Sequence, residues 1–225
     1  MMTERFSNLS LYNRKLVVSC QAPNGSHLKK DDILIAIAKE VIAASAPALR
    51  IAGENCIREI RKLTDIPIIG LIKTERNGFD VRITCTTDEI KQVKSAGANI
   101  VAIDSTGRIR PEPLEMLYKY AKSLKMEIFA DIATEQEALN AIKIGADYIG
   151  TTMSGYTDET KDQIGSDFEL LKKLVKETST PIVLEGKIEN PDQCKKALDL
   201  GAFAVVVGRF ITSPRDITKL FIEAI

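Results

Sequence analysis

The sequence predicts an α/β fold, a single (β/α)8 TIM barrel spanning residues 1–225, on three observations. Eight short apolar, β-branched runs recur along the 225 residues with a mean spacing of about 27, the size of one βα unit rather than of a hairpin. Stretches of helical length with one apolar stripe separate most of them. Three junctions share one device, a helical pattern that stops on Gly-Ala immediately before the next run: Gly97-Ala98, Gly145-Ala146 and Gly201-Ala202. Glycine takes the left-handed conformation that ends a helix, and the small alanine lets the chain turn closely into a strand.

The eight runs cover residues 16–19, 48–51, 67–72, 99–103, 127–132, 148–152, 181–184 and 204–207. The first leads into Ser19-Cys20-Gln21-Ala22-Pro23, which lacks the glycine fingerprint that a doubly wound, nucleotide-binding sheet carries after its first strand. That absence favours the barrel over the open sheet. Residues 31–44 form the first helix, with Ile33, Ile37, Val41 and Ala44 on one stripe. The third and seventh runs open on Pro67 and Pro181, which stop the preceding helical pattern and are acceptable at the first residue of a strand. Residues 168–175 place Leu170, Leu171, Leu174 and Val175 on the stripe of another helix, and Thr212-Ser213-Pro214 starts a last one. The runs are apolar almost throughout, as strands of a parallel sheet buried on both faces must be. No Pro/Gly/Ser-rich linker divides the chain.

Composition narrows the function. The 31 basic and 31 acidic residues cancel, so no global positive field draws the chain to nucleic acid or an anionic membrane. The longest apolar stretches reach about six to eight residues, short of the roughly 20 that span a bilayer, and residues 1–10 lack the apolar core of a signal peptide. A cytoplasmic protein with a small-molecule partner is expected. Cys20, Cys56, Cys85 and Cys194 show no Cys-x-x-Cys spacing, and His27 is the only histidine. No metal site is therefore expected, and a Ser-His-Asp relay would have to use His27. No feature reports the oligomeric state; a homodimer is carried as the expectation.

Chemistry in such barrels sits at the C-terminal ends of the strands. Those ends carry Gln21, Arg50, Lys73, Asp104, Asp131, Thr151 with Thr152, and Glu185. Any one alone reads as a solvated strand end, but a ring of them implies mutual pairing or a ligand, because burying such groups unpaired costs several kcal/mol. The seventh run leads into Gly186-Lys187 and the eighth into Gly208-Arg209. The loops after these two strands often bind phosphate, with glycine admitting the oxygens to backbone N–H groups and the cations adding charged hydrogen bonds. A phosphate-binding barrel is the expectation.

Lys73 lies six residues beyond Pro67, and Glu185 four beyond Pro181. Both offsets are even, and the third and seventh strands face each other across an eight-stranded ring, so both side chains can project towards the axis. A substrate between them would meet one proton-transfer group on each face. That arrangement suits inversion at a carbon next to a carbonyl, provided burial or a cation such as Arg50 lowers the lysine pKa. The alternatives are an ion pair tying Lys73 to Glu185 or Asp131, a Schiff-base aldolase on Lys73, and a barrel that binds a sugar phosphate without turning it over.

At these residues the chain resembles the N-acetylmannosamine-6-phosphate 2-epimerase family, bacterial enzymes that convert N-acetylmannosamine 6-phosphate to N-acetylglucosamine 6-phosphate in sialic acid and aminosugar breakdown. The matching stretches are Val18-Ser19-Cys20-Gln21-Ala22, Pro67-Ile68-Ile69-Gly70-Leu71-Ile72-Lys73, Ala130-Asp131-Ile132, Thr151-Thr152-Met153-Ser154-Gly155-Tyr156-Thr157 and Glu185-Gly186. The stretch ending in Ser154-Gly155-Tyr156-Thr157 is the most specific. The resemblance implies that Lys73 and Glu185 transfer the protons and that Gln21, Arg50 and Asp131 orient or polarise a phosphorylated amino sugar. It further implies that Gly186, Lys187, Gly208 and Arg209 hold the 6-phosphate, and that no metal or organic cofactor is required. The chain departs from the family at Lys187, usually arginine, at Arg209, usually small, and at Ala46-Pro47-Ala48-Leu49, usually richer in glycine. Thr84, Thr86 and Asp104 are left without a role.

Overall fold

A computed structural model describes residues 16–23 and 25–225; the polar opening residues 1–10 and Asn24 lie outside them. Eight parallel strands close into one barrel in chain order: β1 (Leu16–Cys20), β2 (Leu49–Ala52), β3 (Ile68–Leu71), β4 (Ile100–Asp104), β5 (Glu127–Asp131), β6 (Tyr148–Gly150), β7 (Ile182–Glu185) and β8 (Ala204–Val207). The helices between them are α1 (Asp31–Ala43), α2 (Glu54–Arg61), α3 (Thr87–Ser95), α4 (Leu114–Ser123), α5 (Glu135–Lys143), α6 (Phe168–Glu177) and α7 (Pro191–Asp199), followed by the short α8 (Arg209–Thr212) and α9 (Pro214–Glu223). Each predicted run overlaps a strand. No described helix is long and apolar enough to cross a membrane.

Strand alternation sorts side chains into two shells. Val17, Ile69, Leu71, Ile100, Ala102, Phe129, Val183 and Val206 fill the interior. Val18, Leu49, Ile68, Val101, Ile128, Leu184 and Val205 face outward to the helices. Because the period is two, the next interior positions towards the C-terminal ends fall to Ser19, Arg50, Lys73, Asp104, Asp131, Thr152 and Glu185. The interior is thus apolar below and polar at its mouth. Gly150 makes one close approach possible: a Cβ there would sit 2.2 Å from Phe129 Cε1. The phenyl ring therefore fills the floor immediately under Arg50.

The three Gly-Ala junctions adopt the expected geometry, with φ of +96°, +107° and +96° at Gly97, Gly145 and Gly201. The following alanine N–H closes each helix, as in Ala146 N–H to Ala141 O at 2.9 Å and Ala202 N–H to Ala197 O at 3.0 Å. Ser213 caps α9 by accepting from the Asp216 N–H, with Pro214 in the first turn. Two boundaries differ from the sequence reading. The run 148–152 stops as a strand at Gly150, and Thr151–Met153 form a 3-10 turn, since the Thr151 hydroxyl bonds the backbone of Glu185 rather than continuing the ladder. After β3 the chain makes an unforeseen hairpin in which Lys73 pairs antiparallel with Ile83 and Arg76 with Phe79.

Candidate active site

Arg50 occupies the centre of the mouth. Its side chain is 1% exposed and its guanidinium carbon lies 5.1 Å from the Phe129 ring centroid. Nη2 donates to Asp131 Oδ2 at 2.7 Å, and Nη1 stands 3.1 Å from Glu185 Oε2 without the alignment of a hydrogen bond. Asp131, wholly buried, also accepts from the Thr152 hydroxyl at 2.6 Å on its other oxygen. Two carboxylates thus compensate one buried cation, the condition under which such a charge persists inside a protein.

Four buried polar atoms here lack a hydrogen-bond partner: Gln21 Oε1, Arg50 Nε, Arg50 Nη1 and Glu185 Oε2. Native interiors rarely leave such groups unmade; Gln21 and Glu185 line the cleft, where a ligand could bond, while Arg50 is buried and does not line it. Gln21 is aimed by its own amide, which donates to Ser19 Oγ at 2.9 Å. Glu185 is held from behind, where Thr151 Oγ1 accepts its N–H at 3.1 Å and donates to its carbonyl at 3.0 Å.

These contacts tune the two expected proton-transfer groups. Burial pushes the Glu185 carboxyl up to about 7, with Arg50 opposing the rise and Asp131 adding to it. Lys73 lies open to the cleft; desolvation by the surrounding walls, then the Arg50 charge, hold its pKa below the ordinary lysine range. Solvent reaching it through the cleft moderates that shift. Among the described residues it is Arg50, not Lys73, that forms ion pairs with Asp131 and Glu185. The expected alternative of a Lys73 ion pair is therefore not what the structure contains. The hairpin carrying Lys73 is pinned by Thr84, whose hydroxyl accepts the Ile72 N–H at 3.1 Å from a backbone of positive φ. Thr86 caps α3 by accepting the Glu89 N–H, and Glu89 accepts from Thr74, Arg76 and the Cys85 N–H.

The remaining strand ends are satisfied internally. The Asp104 carboxylate takes both the N–H and hydroxyl of Thr106 and pairs with Arg108 at 2.7 Å, so it supports a loop. His27 is exposed.

Lys187 and Arg209 stand at the cleft rim with Gly186 and Gly208, but neither cation is loose. Lys187 Nζ donates to the Gln163 carbonyl at 2.5 Å and lies 5.1 Å from the Tyr156 ring centroid. Arg209 Nη2 donates to the Tyr156 hydroxyl at 3.2 Å. The loop after β6 joins the two cations, a contact that local spacing does not signal although Tyr156 falls in the most specific motif. Thr212, read as a helix start, turns its hydroxyl onto Ser19 O and Gly208 O, fixing the β8 loop to β1. The cleft bounded by these residues has a volume of about 1680 Å³, roomy for one sugar phosphate.

A family model described as "Putative N-acetylmannosamine-6-phosphate epimerase" matches residues 34–225. A relative from Clostridioides difficile (strain 630), named as a putative N-acetylmannosamine-6-phosphate 2-epimerase, is 39% identical over 213 residues, covering 94% of this chain and 96% of its own. One of the same name from Caldanaerobacter subterraneus subsp. tengcongensis is 42% identical over 214 residues, covering 93% and 90%. The solved structure of the N-acetylmannosamine-6-phosphate 2-epimerase from Clostridium perfringens superposes with a TM-score of 0.93 at 36% identity, covering 100% of this chain and 99% of that one. A thiamine phosphate pyrophosphorylase from Pyrococcus furiosus, 21% identical with a TM-score of 0.63 and 92% coverage of both chains, shares the fold alone.

Proposed function

The chain belongs to the N-acetylmannosamine-6-phosphate epimerase family, and on that premise we propose that it interconverts N-acetylmannosamine 6-phosphate and N-acetylglucosamine 6-phosphate, with Lys73 and Glu185 moving the proton at C2. The reading is carried by the Arg50 cluster: one guanidinium forms ion pairs with both Asp131 and Glu185, with Nε and Nη1 making no hydrogen bond, while no described carboxylate pairs with Lys73.

In the open-chain sugar, C2 lies next to the C1 aldehyde. Loss of its proton moves the bonding pair into an enolate whose negative charge rests on O1. The buried Arg50 charge beside Glu185 would stabilise that oxygen electrostatically, favouring charge that exists only once the C–H bond is breaking. Gln21 Oε1 can accept a sugar hydroxyl. One of Lys73 and Glu185 takes the proton from one face, and the other returns a proton to the opposite face. Catalysis in reverse requires the opposite protonation states, and a carboxyl that titrates near 7 populates both forms at neutral pH. Gly186, Lys187, Gly208 and Arg209 hold the 6-phosphate at the rim. The four cysteines are unpaired thiols, which suits a reducing cytoplasm. We place the enzyme there as a homodimer, since Phe221 and Ile222 on α9 are exposed apolar surface that a second copy would cover.

Turnover in heavy water tests the chemistry. Deuterium should appear at C2 of both epimers, and Lys73→Ala and Glu185→Gln should each slow interconversion by about 10²–10⁴. Interconversion without label at C2 would refute the mechanism, and borohydride trapping of substrate on Lys73 would point to the aldolase instead.

A further inference from the structure

Tyr156 has a chemistry the mechanism above does not use. Its hydroxyl accepts from Arg209 at 3.2 Å, its ring lies under the Lys187 ammonium at 5.1 Å, and its side chain is 49% exposed at the cleft rim. The phenol has its own O–H to give, and no described residue accepts it. Neither Lys187 nor Arg209 has a carboxylate partner among the described residues, so Tyr156 is contacted by two positive charges that no described carboxylate pairs with. The approach of Lys187 is built into the backbone. Gly155 holds φ +79°, and a Cβ there would fall 2.1 Å from Lys187 Nζ and 2.9 Å from Gln163 O. Only glycine lets the ammonium rest against this loop. Thr160 Oγ1 takes the Gly155 N–H at 2.9 Å, and Ser154 Oγ bonds Asp167 at 2.6 Å, so the turn that presents Tyr156 is fixed from both sides.

We propose that the Tyr156 hydroxyl is the third arm of the phosphate grip and sets the preference for a phosphorylated over an unphosphorylated sugar, an inference that rests on the epimerase reading above. An oxygen that accepts from a guanidinium becomes a better donor through its own hydrogen, because the two bonds polarise each other. A dianion between Lys187 and Arg209 would receive charge-assisted bonds from both cations and one from the phenol.

Tyr156→Phe keeps the ring beneath Lys187 and removes only the hydroxyl. The variant is assayed for the KM of N-acetylmannosamine 6-phosphate and for competitive inhibition by inorganic phosphate and by unphosphorylated N-acetylmannosamine. A hydrogen bond to a charged group at a half-exposed site corresponds to about tenfold in affinity. The KM and the phosphate inhibition constant should both rise about tenfold, with kcat held within about twofold and the inhibition constant of the unphosphorylated sugar unchanged. Unaltered phosphate inhibition, or equal weakening of both inhibitors, would overturn the proposal, the second result making Tyr156 a prop for the loop. Should the wild type turn over no sugar at all, the epimerase reading fails separately. Phosphate binding followed by 31P NMR then decides the matter: weaker binding by the variant supports the assignment, while equal binding, or none by the wild type, overturns it.

Discussion

Replacing Arg50 by glutamine should move the activity profile along the pH axis. In the wild type Glu185 titrates at about 7. In the direction where it removes the proton, kcat/KM rises with pH through about 7; where it returns the proton, kcat/KM falls through the same point. Arg50 favours the carboxylate form from 3.1 Å. Coulomb's law at an effective dielectric of about 20 puts that attraction at roughly 5 kcal/mol, a ceiling of about four pKa units. Water entering the space left by the guanidinium screens most of it, so we expect both limbs to move up by about one to two units. Lys73 moves the same way, because losing a neighbouring positive charge favours its ammonium form. Profiles measured in both directions by NMR give the shift directly. Removing one partner of a buried pair also costs about 3–5 kcal/mol of stability, so Arg50→Lys, which keeps a charge, serves as the folded control and should leave the inflection within about one unit of 7. An inflection that stays at 7 in Arg50→Gln, or persists in Glu185→Gln, would refute the assignment.

Two further predictions concern the scaffold. Thr151→Val removes both hydrogen bonds to the Glu185 backbone and should cost about 1–3 kcal/mol in urea unfolding, with kcat falling more than KM rises and Thr151→Ser restoring both. A purely structural role would lower stability and leave kcat intact. Gly201→Ala places a Cβ 2.7 Å from Val175 Cγ1 at a φ of +96°, and should lower stability by about 1–2 kcal/mol without altering kcat, because the α7–β8 junction lies at the end of the barrel away from the cleft; an unchanged unfolding midpoint would show that the junction relaxes.

Much of the molecule was legible from local patterns. The apolar runs located all eight strands, and counting from Pro67 and Pro181 put Lys73 and Glu185 on the inner face; both line the cleft. Those readings succeed because period-two alternation and the left-handed turn at a helix end are properties of a few consecutive residues. The strand 6 boundary was missed because Thr151 answers to Glu185, 34 residues away. The hairpin after β3 was missed because Lys73 and Ile83 pair across a segment with no apolar period of its own. Asp104 had no role legible in the sequence, because the partners that take up its oxygens, Thr106 and Arg108, are fixed only by the folded loop.

The sequence by itself determined the repeat, the closing count of strands and which side chains face the axis, since each depends on backbone geometry that neighbours dictate. The tertiary structure alone decided what those side chains are chemically. Arg50 and Asp131 stand 81 positions apart in the chain and 2.7 Å apart in the barrel. Glu185 becomes a group poised near neutrality because β2, β5 and β7 bring one cation and two carboxylates into a shared, poorly hydrated space. Desolvation and Coulomb interaction vary with distance and burial, which no local run of residues records.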